Sequence, residues 1–166
     1  VNSSYVPVEK LNRLTKNNHQ GAVAQVAPVK FYDIEELFDM VSKKNTTPLF
    51  LLLDQLSDVR NFGAIIRTAE CTSAGAVFKV PICRVDHIKD AVFFLQASDI
   101  KVIAATEKTD NTLFDVSFKE PCAIIMGSEG RGINPSILKI ANEKAKLPLL
   151  GEIESLNVSV ACGAFL

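Results

Sequence analysis

The sequence is poor in the features that most readily advertise a function. It has no surplus of positive charge: 18 Lys and Arg stand against 19 Asp and Glu, for a formal net charge of −1. A nucleic-acid binder ordinarily carries a basic footprint, so here that footprint is expected only as a local patch or in a second domain. Cysteine is scarce and scattered, at positions 71, 83, 122 and 162, with no C-x-x-C pair, and the two histidines, His19 and His87, sit at no metal-ligand spacing. A zinc site and a disulfide framework are therefore both disfavoured, and no metal is expected. Free thiols in an apolar setting point to a reducing, cytoplasmic environment. No apolar run approaches the roughly 20 residues of a membrane-crossing helix. The chain opens on no signal-peptide pattern, and it contains neither an internal repeat nor a low-complexity tract.

What remains is an ordinary globular composition, 48% hydrophobic and 22% charged over 166 residues, enough to build the core of one domain. Both ends read as cut, because the chain starts on Val1 and stops on apolar residues 161–166, where solvated polar ends are the norm. Residues 1–20 are polar and irregular, with a short helical turn at best over 9–14. A turn-forming linker over 16–21 sets a boundary between residues 1–20 and a main domain over 21–166.

Along that domain, unbroken apolar runs alternate with amphipathic stretches. Strands are predicted over 22–29, 49–53, 76–80, 101–105, 122–126 and 146–149. Helices are predicted over 34–44 (after Asp33), 62–72, 87–97, from Asn134-Pro135 onward, and over 155–166. This is the pattern of an α/β domain with a mainly parallel sheet and helices on both faces. In such sheets ligands bind beyond the carboxyl ends of the strands, so the polar residues that follow each strand are the candidates.

Three loops qualify. After the strand over 49–53 come Asn61 and Arg67, six apart. Arg67 stands among Ile66, Thr68 and Ala69 and is expected to be half buried, needing either a phosphate or an ion pair with Asp54 or Asp58. After the strand over 122–126 comes Gly127-Ser128-Glu129-Gly130-Arg131-Gly132. It matches neither the dinucleotide fingerprint nor the phosphate-binding P-loop, and a tight strand-to-helix turn explains its glycines equally well; Glu129 is harder to explain structurally. After residues 146–149 come Ser155, a candidate helix cap, then Asn157 and Ser159 at the start of a very apolar helix, where polar groups must find partners.

Taken in order, the three stretches resemble the three motifs of the SpoU (TrmH-like) branch of the SPOUT methyltransferases. The first is Asn61-Phe62-Gly63-Ala64-Ile65-Ile66-Arg67-Thr68-Ala69. The second is Ile125-Met126-Gly127-Ser128-Glu129-Gly130-Arg131-Gly132. The third is Leu147-Pro148-Leu149 with Ser155-Leu156-Asn157-Val158-Ser159-Val160-Ala161. Val59 departs from the pattern, many members having proline there. The resemblance implies a deep C-terminal trefoil knot, which general topology rules would not have suggested, and a homodimer. It also implies S-adenosylmethionine held around Gly127 and Gly132, with Leu147, Leu149 and Leu156 lining it and Ala105 and Thr106 flanking it. Residues 1–20 then read as the tail and linker of a missing RNA-binding domain.

The implied reaction is methylation of a ribose 2′-hydroxyl in RNA, ribosomal RNA before transfer RNA. A non-catalytic RNA-binding member of the same fold is an alternative, and a Rossmann-type oxidoreductase is disfavoured because its glycines should come early. The resemblance gives Arg67 the catalytic role. A guanidinium stays charged in proteins, so it suits a phosphate clamp and alkoxide stabiliser better than a base. Asn61 would orient the ribose, Glu129 would hold Arg67 or Asn61, and Ser155 and Asn157 would shape the pocket.

Overall fold

The computed structural model describes residues 4–23, 30–44, 46–72, 80–151 and 155–166. The chain divides into two compact units, Val1–Lys30 and Phe31–Leu166. In the smaller, α1 (Val8–Leu14) is a full seven-residue helix, longer than the turn expected. After it, His19 closes a local knot of hydrogen bonds. Its Nδ1 accepts from the Gly21 N–H at 3.0 Å, which leaves Nε2–H to donate to Asn12 Oδ1 at 2.9 Å.

The larger unit runs β1 (Phe31–Tyr32), α2 (Ile34–Ser42), β2 (Leu49–Asp54), α3 (Val59–Thr72), β3 (Ile82–Cys83), α4 (Ile88–Ala97), β4 (Lys101–Ala105), a 3-10 turn (Leu113–Asp115), β5 (Cys122–Gly127), α5 (Pro135–Ile140), β6 (Glu143–Ala145) and α6 (Val158–Phe165). Among the described residues β2, β5, β4 and β6 form one sheet in that order, and every pairing in it is parallel. β1 and β3 form a second parallel pair. The expected strands over 22–29 and 76–80 fall largely outside the described residues.

Side chains alternate across the sheet, as the two-residue period of a strand requires. Phe50, Leu52, Val102, Ala104, Ala123 and Ile125 face one way and pack against α2, α4 and α5. On this side Phe38 stacks on Phe50 at 6.0 Å and meets the edge of Phe94 at 5.7 Å. Leu51, Leu53, Ile103, Ile124 and Met126 face the other way, against Ile65 of α3 and Val158, Cys162 and Phe165 of α6. The result is a three-layer α/β/α unit. Every apolar position of β5 is buried because this strand is covered on both faces and paired on both edges.

Two boundaries differ from expectation. The last strand is Glu143–Ala145, not 146–149. It is a polar edge strand, invisible to a search for apolar runs, and the chain leaves it before Pro148, which has no N–H to give a ladder. The last helix begins at Val158, capped by Asn157, whose side-chain oxygen accepts from the Ser159 N–H. Ser155 is exposed, outside the helix, and is not its cap.

Candidate active site

Because β2, β4, β5 and β6 are parallel, their carboxyl ends share one edge. Register puts Asp54 beside Gly127, and Ala105 beside Ala145. The Thr106 N–H continues the β4–β6 ladder by donating to the Ala145 carbonyl at 2.9 Å. Thr106 is buried, Ala105 and Leu147 are half-buried, and Leu149 and Leu156 are exposed. Adjacent strand ends lie about 5 Å apart, so Thr106, Gly127 and Leu147 crowd one short stretch of the edge.

The loop after β5 is folded tightly back on itself. The Gly132 N–H donates to the Ser128 carbonyl at 2.9 Å, and Gly130 and Gly132 take φ of +84° and +67°, the left-handed region that glycine enters without cost. A Cβ on Gly127 would stand 2.2 Å from the Gly132 carbonyl carbon. Glycine at 127 is therefore required by the loop's own backbone.

From this loop Glu129 reaches α6. The Asn157 side chain is fully committed. Its Oδ1 accepts from the Ser159 N–H at 2.9 Å, while Nδ2 donates to Glu129 Oε1 at 2.5 Å and to Asn61 Oδ1 at 3.1 Å. Glu129 Oε1 also accepts from the Val158 N–H at 3.4 Å, placing a carboxylate at the positive end of α6. One amide thus joins residues from all three candidate stretches. Asn61 is buried, on the α3 face that packs against α6. In front of it a cavity of about 140 Å3 is lined by Leu56, Ser57, Asp58, Asn61, Ser128 and Glu129.

Arg67 stands apart from this network. Six helical residues place it about 120° round α3 from Asn61. It is exposed, not half buried, and no hydrogen bond or ion pair engages it among the described residues. Neither aspartate expected as its partner is available: Asp58 is bound by Arg60 at 3.1 Å, and Asp54 accepts from the Asn134 N–H at 2.7 Å. The Arg60 guanidinium and its own N–H hold the Asp58 carboxyl below its ordinary range. Glu129 holds Asn157, and through it Asn61. Ser155 and Gly132 make no side-chain contribution to the network.

Ser57 and Ser128 line the cavity without standing out in the sequence as site residues, and Asp58, which also lines it, and the buried Asp54 stand out there only as ion-pair partners. The signal for Asp54 is an acidic residue closing an apolar strand. Among the described residues no group of His, Cys, Asp and Glu is arranged to hold a metal, and no helix is long and apolar enough to cross a membrane.

Residues 71–166 match the model of the SpoU rRNA Methylase family. The chain belongs to the SpoU rRNA methylase family. It is 30% identical over 185 residues to the TrmH family protein YacO of Bacillus subtilis, spanning 98% of this chain and 74% of that one. It is 29% identical to the 23S rRNA (guanosine-2′-O-)-methyltransferase RlmB of Coxiella burnetii, over 93% of this chain and 70% of the relative. In fold it resembles the AdoMet-bound rRNA methyltransferase of Sinorhizobium meliloti, with a TM-score of 0.69 and 23% identity over 82% of this chain and 59% of that one. The chain spans about half to three quarters of the length of the curated relatives it matches. The SpoU family model begins within α3, so Glu129 and Asn157 fall inside the matched region and Asn61 and Arg67 before it.

Proposed function

We propose that this chain is the methyl-transfer domain of an enzyme that methylates a ribose 2′-hydroxyl in RNA, with S-adenosylmethionine as the donor. The observation that carries the reading is the Asn157 amide, which gathers Asn61 and Glu129 at the carboxyl edge of the sheet. The relatives named for the same reaction act on 23S rRNA, which favours ribosomal RNA over transfer RNA. A homodimer, a cytoplasmic location and threading of the chain after β6 through the β5 loop as a knot are parts of the same proposal.

The edge suits the cofactor. Thr106, Gly127 and Leu147 crowd one stretch of it, and Leu149, Leu150 and Leu156 leave apolar surface exposed nearby, the mixture of backbone and apolar lining that such sites use. S-adenosylmethionine, when bound, supplies an electrophilic methyl group on a sulfonium. The chain's own residues do the rest. Glu129 and Asn157 fix Asn61, whose amide then orients the ribose at the cavity. Arg67, unengaged and charged, takes the neighbouring phosphate and favours the alkoxide over the hydroxyl by its field, the hydroxyl proton passing to solvent as the methyl is transferred and S-adenosylhomocysteine leaves. Removing that charge should cost about 10²- to 10³-fold in rate.

The test is methyl transfer from radiolabelled S-adenosylmethionine to ribosomal RNA, with S-adenosylhomocysteine binding by calorimetry beside it. Arg67→Ala should bind S-adenosylhomocysteine normally and transfer poorly. Near-normal transfer by that variant would refute the role of Arg67. A chain that binds the product and never methylates RNA would leave a non-catalytic RNA-binding member of the fold.

A further inference from the structure

The Asn157 network uses one oxygen of Glu129 and leaves the other. Oε1 accepts from Asn157 Nδ2 at 2.5 Å and from the Val158 N–H at 3.4 Å. No described residue donates to Oε2, although an ionised carboxylate accepts on both oxygens. Asn61 is its complement. Asn61 Oδ1 accepts from Asn157 Nδ2, while its own Nδ2 has no described acceptor, and the residue is only 8% exposed. A polar group so buried calls for a partner. Both residues line the cavity of about 140 Å3, which therefore offers an N–H donor and a carboxylate oxygen together. A hydroxyl answers both, because it accepts through its oxygen and donates its hydrogen.

The other groups at the cavity are poor places for a proton. Asp58 Oδ1 accepts from the Arg60 N–H and Nε, at 2.8 and 3.3 Å, and Oδ2 from Nη2 at 3.1 Å. These bonds hold its carboxyl below the ordinary range, and a proton there would displace Arg60. Ser57 and Ser128 bring hydroxyls, no more basic than an alcohol substrate, and Leu56 is apolar. Arg67 is a guanidinium and stays charged. Glu129 both lines the cavity and is exposed, so a proton that it receives can pass on to solvent.

We propose that Glu129 Oε2 takes the proton of the ribose 2′-hydroxyl during methyl transfer. The proposal rests on the methyl-transfer reading and names the first stop of that proton on its way to solvent. Asn61 Nδ2 donates to the ribose oxygen, which turns the hydroxyl hydrogen toward Oε2 and leaves a second lone pair for attack. The O–C bond forms to the methyl group, and the C–S bond breaks with its electron pair going to sulfur, which leaves S-adenosylhomocysteine. The O–H bond breaks to Oε2. A sulfonium, a carboxylate and an alcohol thus become a thioether, a neutral carboxyl and an ether. A carboxylate is basic enough, because a hydroxyl gaining a methyl group becomes far more acidic than a carboxyl. Oε1 keeps Asn157 in place throughout, so one side chain positions with one oxygen and accepts with the other.

The experiment follows single-turnover transfer from radiolabelled S-adenosylmethionine to an unmodified 23S rRNA transcript, with the full chain, from pH 7 to 9. Melting temperature, S-adenosylhomocysteine affinity by calorimetry and transcript affinity by filter retention are measured beside it. Glu129→Gln keeps an oxygen for Asn157 and loses the capacity to hold a proton. It should bind both ligands as the unaltered chain does and transfer about 10²- to 10⁴-fold more slowly at pH 7. Its rate should then climb about tenfold per pH unit as hydroxide takes over, whereas the unaltered chain stays level. Asn157→Ala removes the anchor, keeps the carboxylate and should lose rate with a level profile. Asp58 and Arg60 face Glu129 across the cavity and Arg131 lies in its own loop, while α6 carries no charged residue. Carboxylates and guanidiniums keep their charge from pH 7 to 9, so none of these produces the slope. A Glu129→Gln rate close to that of the unaltered chain overturns the proposal. So does a loss by the same factor at every pH, which leaves Glu129 a positioning residue only. Should Glu129→Gln fail to fold, the unaltered chain decides: a rate rising about tenfold per pH unit means that hydroxide, not a side chain, takes the proton. An unaltered chain that binds S-adenosylhomocysteine and methylates no RNA overturns the reading beneath.

Discussion

Asp54 and Asn134 lie 80 positions apart in the chain and meet through one hydrogen bond, the Asn134 N–H donating to Asp54 Oδ2 at 2.7 Å. Asp54 ends β2, and Asn134 caps α5 with its own side chain accepting from the Ser136 N–H. A buried carboxylate at the end of β2 therefore pins the far end of the glycine loop, whose near end leaves β5 at Gly127.

Asp54→Ala leaves the Asn134 N–H without its acceptor and should cost about 1–3 kcal/mol. Asp54→Asn keeps an acceptor in place and should cost less. Chemical denaturation compares the two, and equal losses would show that the bond to Asn134 is not what Asp54 contributes.

Gly127→Ala forces a methyl group into the Gly132 backbone, where no flexible side chain can yield. Overpacking of this kind costs about 1–3 kcal/mol. The loop must open to admit the methyl, so S-adenosylhomocysteine affinity should fall with stability. Calorimetry and a melting curve on one preparation check both.

Asn157→Asp replaces the bridging amide by a second carboxylate against Glu129. Like charges so close cannot both ionise freely, so the pair should hold a proton above the usual carboxylate range. The folded pKa is then raised above the unfolded one. The variant should be least impaired at low pH and lose stability as pH rises through the raised value. A melting temperature followed from pH 5 to 8 reads this directly, and a penalty independent of pH would argue against contact between the two side chains in solution.

Burial pushes the Cys162 thiol up to about 11 and raises that of Cys122 as well, whereas Cys71 is exposed. A thiol reagent at neutral pH should therefore label Cys71 rapidly and reach Cys122 and Cys162 only after unfolding. A folded pKa above the unfolded value means that the Cys162 contribution is intact below about pH 8.5. It is lost as pH climbs toward 11, so alkaline unfolding should begin in that window and be delayed in Cys162→Ser. Rapid labelling of every cysteine in the native state would contradict the burial.

The sheet was legible because its strands are covered on both faces. β2, β4 and β5 have no polar alternation to hide them, and their runs could be read almost residue for residue. β6 escaped because a short edge strand, Glu143–Ala145, carries polar residues like any loop. The cap of α6 lies two residues beyond the expected Ser155, because Ser155 and Asn157 are equally good capping residues locally. The choice of Asn157 depends on Glu129 and Asn61, which only the fold brings within reach. Apolar neighbours in sequence suggest burial for Arg67, yet on a helix immediate neighbours point elsewhere. Its exposure follows from the face it shares with Arg60 and Gly63. The candidate residues could be listed from the sequence, but their wiring could not.

The parallel register of the sheet has a consequence for how the chain is made. β2 has no partner among the described strands until β5 exists: Leu49 pairs with Cys122 and Asp54 with Gly127. During vectorial synthesis its Leu-Phe-Leu-Leu-Leu segment emerges long before the strand that pairs with it. Distant pairings of this kind slow folding and leave sticky intermediates. Recovery of intact protein should therefore depend on chaperone capacity and growth temperature more than its equilibrium stability would suggest.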